Sequence, residues 1–470
     1  MESKRRRVEP VGPKQLLAWC NQKVTSQTLE LHVFLPSGRC EAVYLPLSSS
    51  VGDLKLAAQH SLGQRFLKLA APNGCLLEPE DSLQCTGLQD GDTIAAVVQQ
   101  PRIAATSTAF ALWCFGGDRI VTWGNAHDGG NSTRVQDQLR KVQQICATHF
   151  AFAAILADGT VVTWGCPAHG GDSAMVRKQL RGVQHICATR AAFAAVLADG
   201  TVVTWGNAQD GGDSTRIHDQ LRKVQQIRAT NSAFAAILAD GAVVTWGSRH
   251  GGGDSIAVQN QLREVQHICA TKAAFAAILA DGTVVTWGSA HDGGDSTRAQ
   301  NQLRNVRQIR ATNSAFAAIL ADGAVVTWGS RHGGGDSSAV QNQLREVQHI
   351  CATNTAFSAI LSDGNVVTWG NAHDGGNSTR VQDQLKNVQD IHATKYAFAA
   401  ILADGSVVTW GRAADGGDSS AVQNQLKDAR HISASGRAFA AILANGNVVT
   451  WGNPRAGGDS TSVLDDLNCI

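Results

Sequence analysis

From residue 143 onward, short apolar runs and short polar breaks follow one another in an order that predicts local structure. Phe152-Ala153-Ala154-Ile155-Leu156-Ala157 and Thr160-Val161-Val162-Thr163-Trp164 are β-prone runs separated only by Asp158-Gly159. Two such runs joined by Asp-Gly predict a hairpin with a type I′ turn, which needs φ > 0 at both central residues. That register sets Trp164 opposite Ala153, a large ring over a small neighbour. Upstream, Gln143-Gln144-Ile145-Cys146-Ala147-Thr148 reads as a third strand. Before it, Val135, Leu139 and Val142 recur at helical spacing, and Thr133 and Gln136 have the spacing of a capping box. A short helix is predicted there, with Gly129-Gly130 as the break that precedes it.

The same order recurs along most of the chain. Trp-Gly pairs begin at Trp123, Trp164, Trp205, Trp246, Trp287, Trp328, Trp369, Trp410 and Trp451, each 41 residues after the last without an insertion. The nine tryptophans are read as structural anchors, one for each unit. Such a unit cannot bury both faces of its sheet alone, so neighbours must stack. Unit one begins at Ile103-Ala104-Ala105-Thr106 without a helix of its own, and residues 463–470 match the missing helix and the start of its strand. The expected fold over 103–470 is therefore mainly β, a β-propeller-like ring of nine units whose last segment completes the first. Nine exceeds the usual range of about four to eight blades, and an open β spiral is the alternative.

Residues 28–99 have a different pattern. Leu29–Leu35 and Cys40–Leu47 read as strands around the turn Pro36-Ser37-Gly38-Arg39. Val51, Leu54, Ala58 and Leu62 then lie at helical spacing behind serines able to cap. Strands follow at Phe66–Leu69 and Thr93–Val98. Hairpin, helix, strand, loop and strand, with the approach Leu83…Leu88-Gln89-Asp90-Gly91-Asp92, resemble a ubiquitin-like β-grasp domain. A conjugated modifier carries a mobile Gly-Gly tail, whereas Gln99-Gln100-Pro101-Arg102 leads directly into the repeats. The domain is expected to dock a partner or to cap the array.

Composition narrows the class of partner. The 48 Gly and 11 Trp fit a repeat with many tight turns and one aromatic anchor. Lys and Arg number 40 and Asp and Glu 39, a net charge of +1. A nucleic-acid surface needs a basic excess or stripe, so none is expected. Of the 11 Cys, four (Cys146, Cys187, Cys269, Cys351) share a repeat position held elsewhere by Arg228, Arg310, His392 and Ser433. A disulfide or zinc framework does not tolerate that exchange, and reduced thiols in a cytoplasmic or nuclear protein are expected. No apolar run is long enough to span a membrane. Residues 1–27 are expected to be a basic, flexible terminus in which Lys4-Arg5-Arg6-Arg7 is a candidate import signal.

Candidate chemistry is sparse. His127, His250, His291, His332 and His373 sit in the loop after Trp-Gly, but Gln209, Ala414 and Arg455 occupy the same loop in other units and the spacing fits no ligand set. No phosphate loop, nucleophile elbow or paired-carboxylate site is present. No catalytic residue, cofactor or metal is expected. Variation between units is more informative. It concentrates in the loop after Trp-Gly and just beyond the Ala-Thr strand, at His149, Arg190, Asn231, Lys272, Asn313, Asn354, Lys395 and Arg437. Variable loops on a rigid scaffold commonly carry binding, so these eight are the candidate partner-binding residues.

Ile186, Phe193–Gly200 and Thr201-Val202-Val203-Thr204-Trp205-Gly206 together resemble the regulator-of-chromosome-condensation repeat. With the ubiquitin-like start, the combination is similar to HERC-type ubiquitin-ligase relatives. The resemblance implies a propeller and protein partners, among them ubiquitin-pathway components or a small GTPase. Family units run longer, exchange factors carry an inserted wedge, and HERC-type ligases carry a HECT domain; the uniform spacing holds neither. The expected function is a protein-interaction scaffold; the alternative, implied by the resemblance, is a regulator or guanine-nucleotide exchange factor of a small GTPase.

Overall fold

The computed structural model describes residues 28–64, 67–79, 81–99, 101–114 and 119–461. Lys4–Arg7 and the segment 463–470 lie outside them. The chain divides into two compact units, one up to Val98 and one from Gln99.

In the first unit, β1 (Thr28–Phe34), β2 (Cys40–Pro46), β3 (Leu67–Ala70), β4 (Leu76–Leu77) and β5 (Thr93–Val98) form one sheet in the order β2-β1-β5-β3-β4. β1 and β5 run parallel at its centre. Helix α1 (Val51–Leu62) buries Val51, Leu54, Ala58 and Leu62, the positions its sequence spacing indicated. Its start is a capping box: Asp53 N donates to Ser50 Oγ at 3.1 Å and Ser50 N donates to Asp53 Oδ2 at 2.9 Å. Two pieces had no sequence signal of their own: the two-residue β4 and the one-turn α2 (Leu83–Thr86). This is the β-grasp arrangement.

The second unit holds, among the described residues, nine separate three-stranded sheets. The first is β6 (Pro101–Ala105), β7 (Ala109–Cys114) and β8 (Ile120–Gly124); the second is β9 (Val142–Ala147), β10 (Ala151–Leu156) and β11 (Val161–Gly165). The pattern continues to Val448–Gly452. The middle strand is apolar throughout, apart from Ser358 in the seventh blade, because it is buried on both faces. Its two faces differ in size. Ala151, Ala153 and Ile155 of the second blade pack against Phe193 and Trp205 of the third, while Phe152 and Ala154 face Ala109 and Ala111 of the first. Each core thus lies between blades, a flat alanine surface against a pair of rings.

The hairpin corrects the expected register. Gly159 N donates to Leu156 O and Leu156 N donates to Thr160 O, both at 2.9 Å. This is a three-residue loop, a type I turn closed by a left-handed glycine. Only Gly159 has positive φ, at 75°. Asp158 stays right-handed because its Oδ1 accepts from Thr160 N at 2.9 Å. One extra loop residue moves the pairing by one place, so Trp164 stands opposite Phe152, and Ala153 opposite Thr163. The Phe152 and Trp164 rings stack with centroids 5.1 Å apart.

The predicted helix over 133–142 is also different. Thr133–Gln138 forms a short 3-10 helix, too brief to nucleate an α-helix. Ser132, rather than Thr133, organises it: its Oγ donates to Gln136 Oε1 at 2.9 Å, and Gln136 Nε2 donates to Ile120 O at 3.1 Å on the free edge of β8. Ser255–Gln259 and Ser337–Gln341 repeat the device on later blades. A side-chain amide therefore occupies part of an edge that would otherwise template another strand.

The tryptophans join blades as well as filling them. Trp164 Nε1 donates to Gly129 O at 3.0 Å, in the loop that leaves the preceding blade. A Cβ on Gly129 would lie 2.5 Å from Phe152 Cδ2, so this close approach requires glycine. The same bond recurs down the chain to Trp451 Nε1 and Gly416 O, at 3.1 Å. Trp123 of the first blade makes it with Gly457 O of the ninth, at 3.2 Å. The array is therefore a closed ring rather than an open spiral. Its individual sheets stay open, and the ring closes through loop and side-chain contacts.

Candidate interaction site at the channel mouth

The third strand predicted from sequence is the innermost strand of each blade, and its end turns inward at one mouth of the central channel. A hydroxyl residue, Thr in eight blades and Ser435 in the ninth, fixes that turn. Thr230 Oγ1 accepts from Ala233 N at 3.0 Å and donates to Gly251 O at 2.8 Å, tying the turn to the loop after Trp-Gly. Thr312 and Thr353 act alike. The residue after the Thr is then free to bond sideways. Ser107 N donates to His149 O, His149 N to Arg190 O, and so on through Asn231, Lys272, Asn313, Asn354 and Lys395 to Gly436 O, at 2.9–3.0 Å. Among the described residues, eight backbone hydrogen bonds run from blade to blade around the annulus, from Ser107 to Gly436; the step from Gly436 back to Ser107 carries no such bond.

This annulus lines a cavity of about 470 Å³. Seven of the eight candidate binding residues meet there: His149, Arg190, Asn231, Lys272, Asn313, Asn354 and Lys395. Arg437 does not. Counted from the repeat's Thr position, Ser435 here, the mouth residue of blade nine is Gly436, and Arg437 lies one place further on and pairs with Asp415 at 2.5 Å. The ninth blade's Ser-Gly shortened the visible variable stretch and shifted the assignment by one. Ser107, which the variation between units does not single out, fills the place in blade one.

The electrostatics of the mouth depend on acids set behind it. Arg190 Nε lies 3.2 Å from Asp210 Oδ2, and Lys272 Nζ 3.2 Å from Asp292 Oδ1. Both carboxylates are buried, whereas the cations are about half exposed, at 54% and 41%. Lys395 Nζ crosses the side-chain-free Gly436 to donate to Ser107 Oγ at 3.1 Å. Burial lowers the Lys395 pKa, and Arg437 lowers it further. His149 is held neutral: burial first, then Lys395 and Arg190, bring its pKa down to about 4. Near the ring seam a second charged group joins blades seven to nine. Arg412 lies 2.8 Å from Asp374 Oδ1 and 4.1 Å above the Tyr396 ring. A spacing signal for these acids was present: each stands 20 residues after Arg190 or Lys272, where blades four and six carry Gly251 and Gly333 beside Asn231 and Asn313.

Below the mouth, Cys146, Cys187, Cys269 and Cys351 pack towards neighbouring blades, and burial raises their thiols to about 11 or 12. Arg228 and Arg310, at the same register, donate to Ile268 O and Ile350 O of the following blade at 3.2 Å. Towards the opposite end, Asp390 Oδ2 lies 3.2 Å from His392 Nε2, and the His392 and His431 rings meet edge to face. Among the described residues no group of three or more His, Cys, Asp or Glu is placed to hold a metal ion. No helix among them is long and apolar enough to cross a membrane.

Fold and site together define a propeller of nine three-stranded blades with a variable polar mouth, preceded by a β-grasp unit. No protein-family model and no curated protein matches the chain. Solved structures similar to it include Prp20p from Saccharomyces cerevisiae, described with its binding to Gsp1p and histones. It is 16% identical over 57% of this chain and 82% of that one, with a TM-score of 0.34. The WD40 ectodomain of the receptor kinase ACR4 from Arabidopsis thaliana is 16% identical over 56% of this chain and 93% of its own, with a TM-score of 0.32. The N-terminal ubiquitin-like domain of the 4931431F19Rik protein is 24% identical over 21% of this chain and 93% of its own, with a TM-score of 0.15.

Proposed function

We propose that the chain is a non-enzymatic interaction scaffold whose propeller receives a protein partner at the channel mouth and whose β-grasp unit docks ubiquitin-pathway machinery. The observation that carries the first half is convergence. Packing holds most of each unit nearly constant, and seven of the residues that vary most are gathered at one mouth on a rigid backbone annulus. Variation confined to one face of a scaffold is what partner selection requires.

The second half rests on the open face of the β-grasp sheet. Cys40, Phe34, Ala95, Ala70 and Leu76 lie in register across all five strands. Phe34, Leu76 and Val97 are exposed, Leu76 by 57% and Val97 by 52%. A contiguous exposed apolar row marks a docking surface; assigning it to the ubiquitin pathway is an argument from fold.

Affinity capture with the full chain, Leu76→Asp/Val97→Asp and Asn231→Asp/Asn313→Asp separates the two surfaces. Each double variant should lose its own set of captured proteins and keep the other. Retention of every ubiquitin-pathway protein by the sheet variant removes that half of the reading. In parallel, nucleotide release from a Ran-type GTPase is measured with the full chain. Acceleration would replace the scaffold reading with exchange activity.

A further inference from the structure

From the charges displayed at the mouth, and resting on the scaffold reading above, we infer that the channel mouth binds an acidic segment of a polypeptide partner. None of the nine residues that line it beyond the Thr position is acidic: Ser107, His149, Arg190, Asn231, Lys272, Asn313, Asn354, Lys395 and Gly436. The chain as a whole carries almost equal numbers of acids and bases, 39 and 40, so their separation at this face is local.

The ion pairs are oriented. Asp210 and Asp292 keep only 5% and 7% of their side chains exposed, while their partners Arg190 and Lys272 keep 54% and 41%. A neutral pair arranged with its anion inside presents its cation to whatever approaches. Lys395 adds a third cation, whose hydrogen bond is to a neutral hydroxyl, Ser107. Asn231, Asn313 and Asn354 contribute amide donors between these cations. A concave mouth walled by protein focuses such a field. An arriving carboxylate finds ammonium, guanidinium and amide donors converging from blades three to eight.

The shape selects a polypeptide. The cavity of about 470 Å³ is large enough for one chain segment, and its lining is polar, unlike the mainly apolar walls of small-molecule sites. Three cations around a ring do not form the basic track that a nucleic acid follows. An acidic terminus or loop entering end-on meets both conditions.

Fluorescence anisotropy with the full chain tests this, using a fluorescein-labelled hexaglutamate peptide and a hexaglutamine peptide of the same length. Hexaglutamate should bind at least about tenfold more tightly, and its affinity should fall as NaCl rises from about 50 to 200 mM. Asn231→Asp/Asn313→Asp, at the two places where glycine (Gly251, Gly333) rather than an acid stands behind the mouth, should weaken binding by about tenfold or more with an unchanged unfolding midpoint. Lys395→Gln should weaken it by a smaller factor. Equal binding of both peptides, no binding of hexaglutamate, or full affinity in the double variant would overturn the proposal. So would complete displacement by millimolar inorganic phosphate, which would reduce the site to a general anion trap. Should hexaglutamate fail while the double variant still loses captured proteins, the acidic class is wrong and the scaffold stands. Should the variant lose none, the mouth falls as an interaction site as well.

Discussion

Trp123→Phe isolates the bond that closes the ring. Trp123 is 2% exposed, and its Nε1 donates to Gly457 O across the seam between the first and ninth blades. Phenylalanine keeps a ring stacked near Phe110 but leaves the Gly457 carbonyl without its donor. The lost hydrogen bond is worth about 0.5–1.5 kcal/mol net, and an unsatisfied buried acceptor costs about 1–3 kcal/mol; together with the gap left by the smaller ring, about 2 kcal/mol is expected. The internal control is Trp287→Phe, whose Nε1 makes the same bond to Gly252 O at 3.1 Å and which is 4% exposed. For a repeat unit running from Gln99 to Ile470 and unfolding as one body, about 1 kcal/mol corresponds to roughly 1–2 °C. Both variants should therefore lose about 2–4 °C in thermal unfolding and show matching falls in the urea midpoint. In an open array Trp123 would belong to a terminal unit, its N–H facing water, and its replacement would cost little. A Trp123→Phe protein within about 0.3 kcal/mol of the parent, beside a clearly weakened Trp287→Phe, would refute closure.

Three further outcomes follow from the same geometry. Arg190→Met strands the buried Asp210 carboxylate and should cost about 1 kcal/mol, the half-exposed guanidinium limiting the effect; Arg190→Met/Asp210→Asn should recover most of it, and a double-mutant cycle with no coupling would contradict the pairing. Iodoacetamide at about pH 8 should label the exposed Cys40, Cys75 and Cys85 and spare Cys146 and Cys351, whose thiols burial raises to about 11 and 12. Mass spectrometry reads the result, and Cys146 labelling as fast as Cys40 would disprove the packing between blades. His149 has a folded pKa of about 4, below its ordinary 6.5, so the unfolded chain takes up the proton first. Its contribution to stability is complete above about pH 6.5 and is lost as pH falls towards about 4. His149→Asn should lose less stability between about pH 7.5 and 5 than the parent, measured by urea midpoints.

Much of the architecture was legible because the repeat states its local rules nine times. The helix of the β-grasp unit was read from Val51, Leu54, Ala58 and Leu62 because amphipathic spacing is a local signal. β4 has no sequence signature because two residues carry no period. The Asp-Gly turn was recognised as a turn, but its type depended on whether Asp158 or only Gly159 took positive φ. The hydrogen bond from Thr160 to the Asp158 carboxylate decided that, and with it the cross-strand partner of Trp164. The segment after Gly129-Gly130 reads as helical because Val135, Leu139 and Val142 are apolar at i, i+4 and i+7, and Leu139 and Val142 are both buried. They face a neighbouring blade from a short turn and a strand, and a pattern of burial alone does not distinguish that from one helix face.

At the candidate site, sequence variation marked the residues that line the mouth in seven blades and fell one place beyond it in the ninth. What the sequence determined by itself is whatever depends on near neighbours: a 41-residue unit, three strands, a glycine turn, and positions free to vary. Only the tertiary structure decided which groups meet across blades. Trp164 finds its acceptor 35 residues back, and Trp123 finds the equivalent one 334 residues away. No local preference encodes such a distance. The angle at which alanine and ring faces pack sets the curvature, and that curvature brings the seam together and gathers scattered loop residues into one mouth.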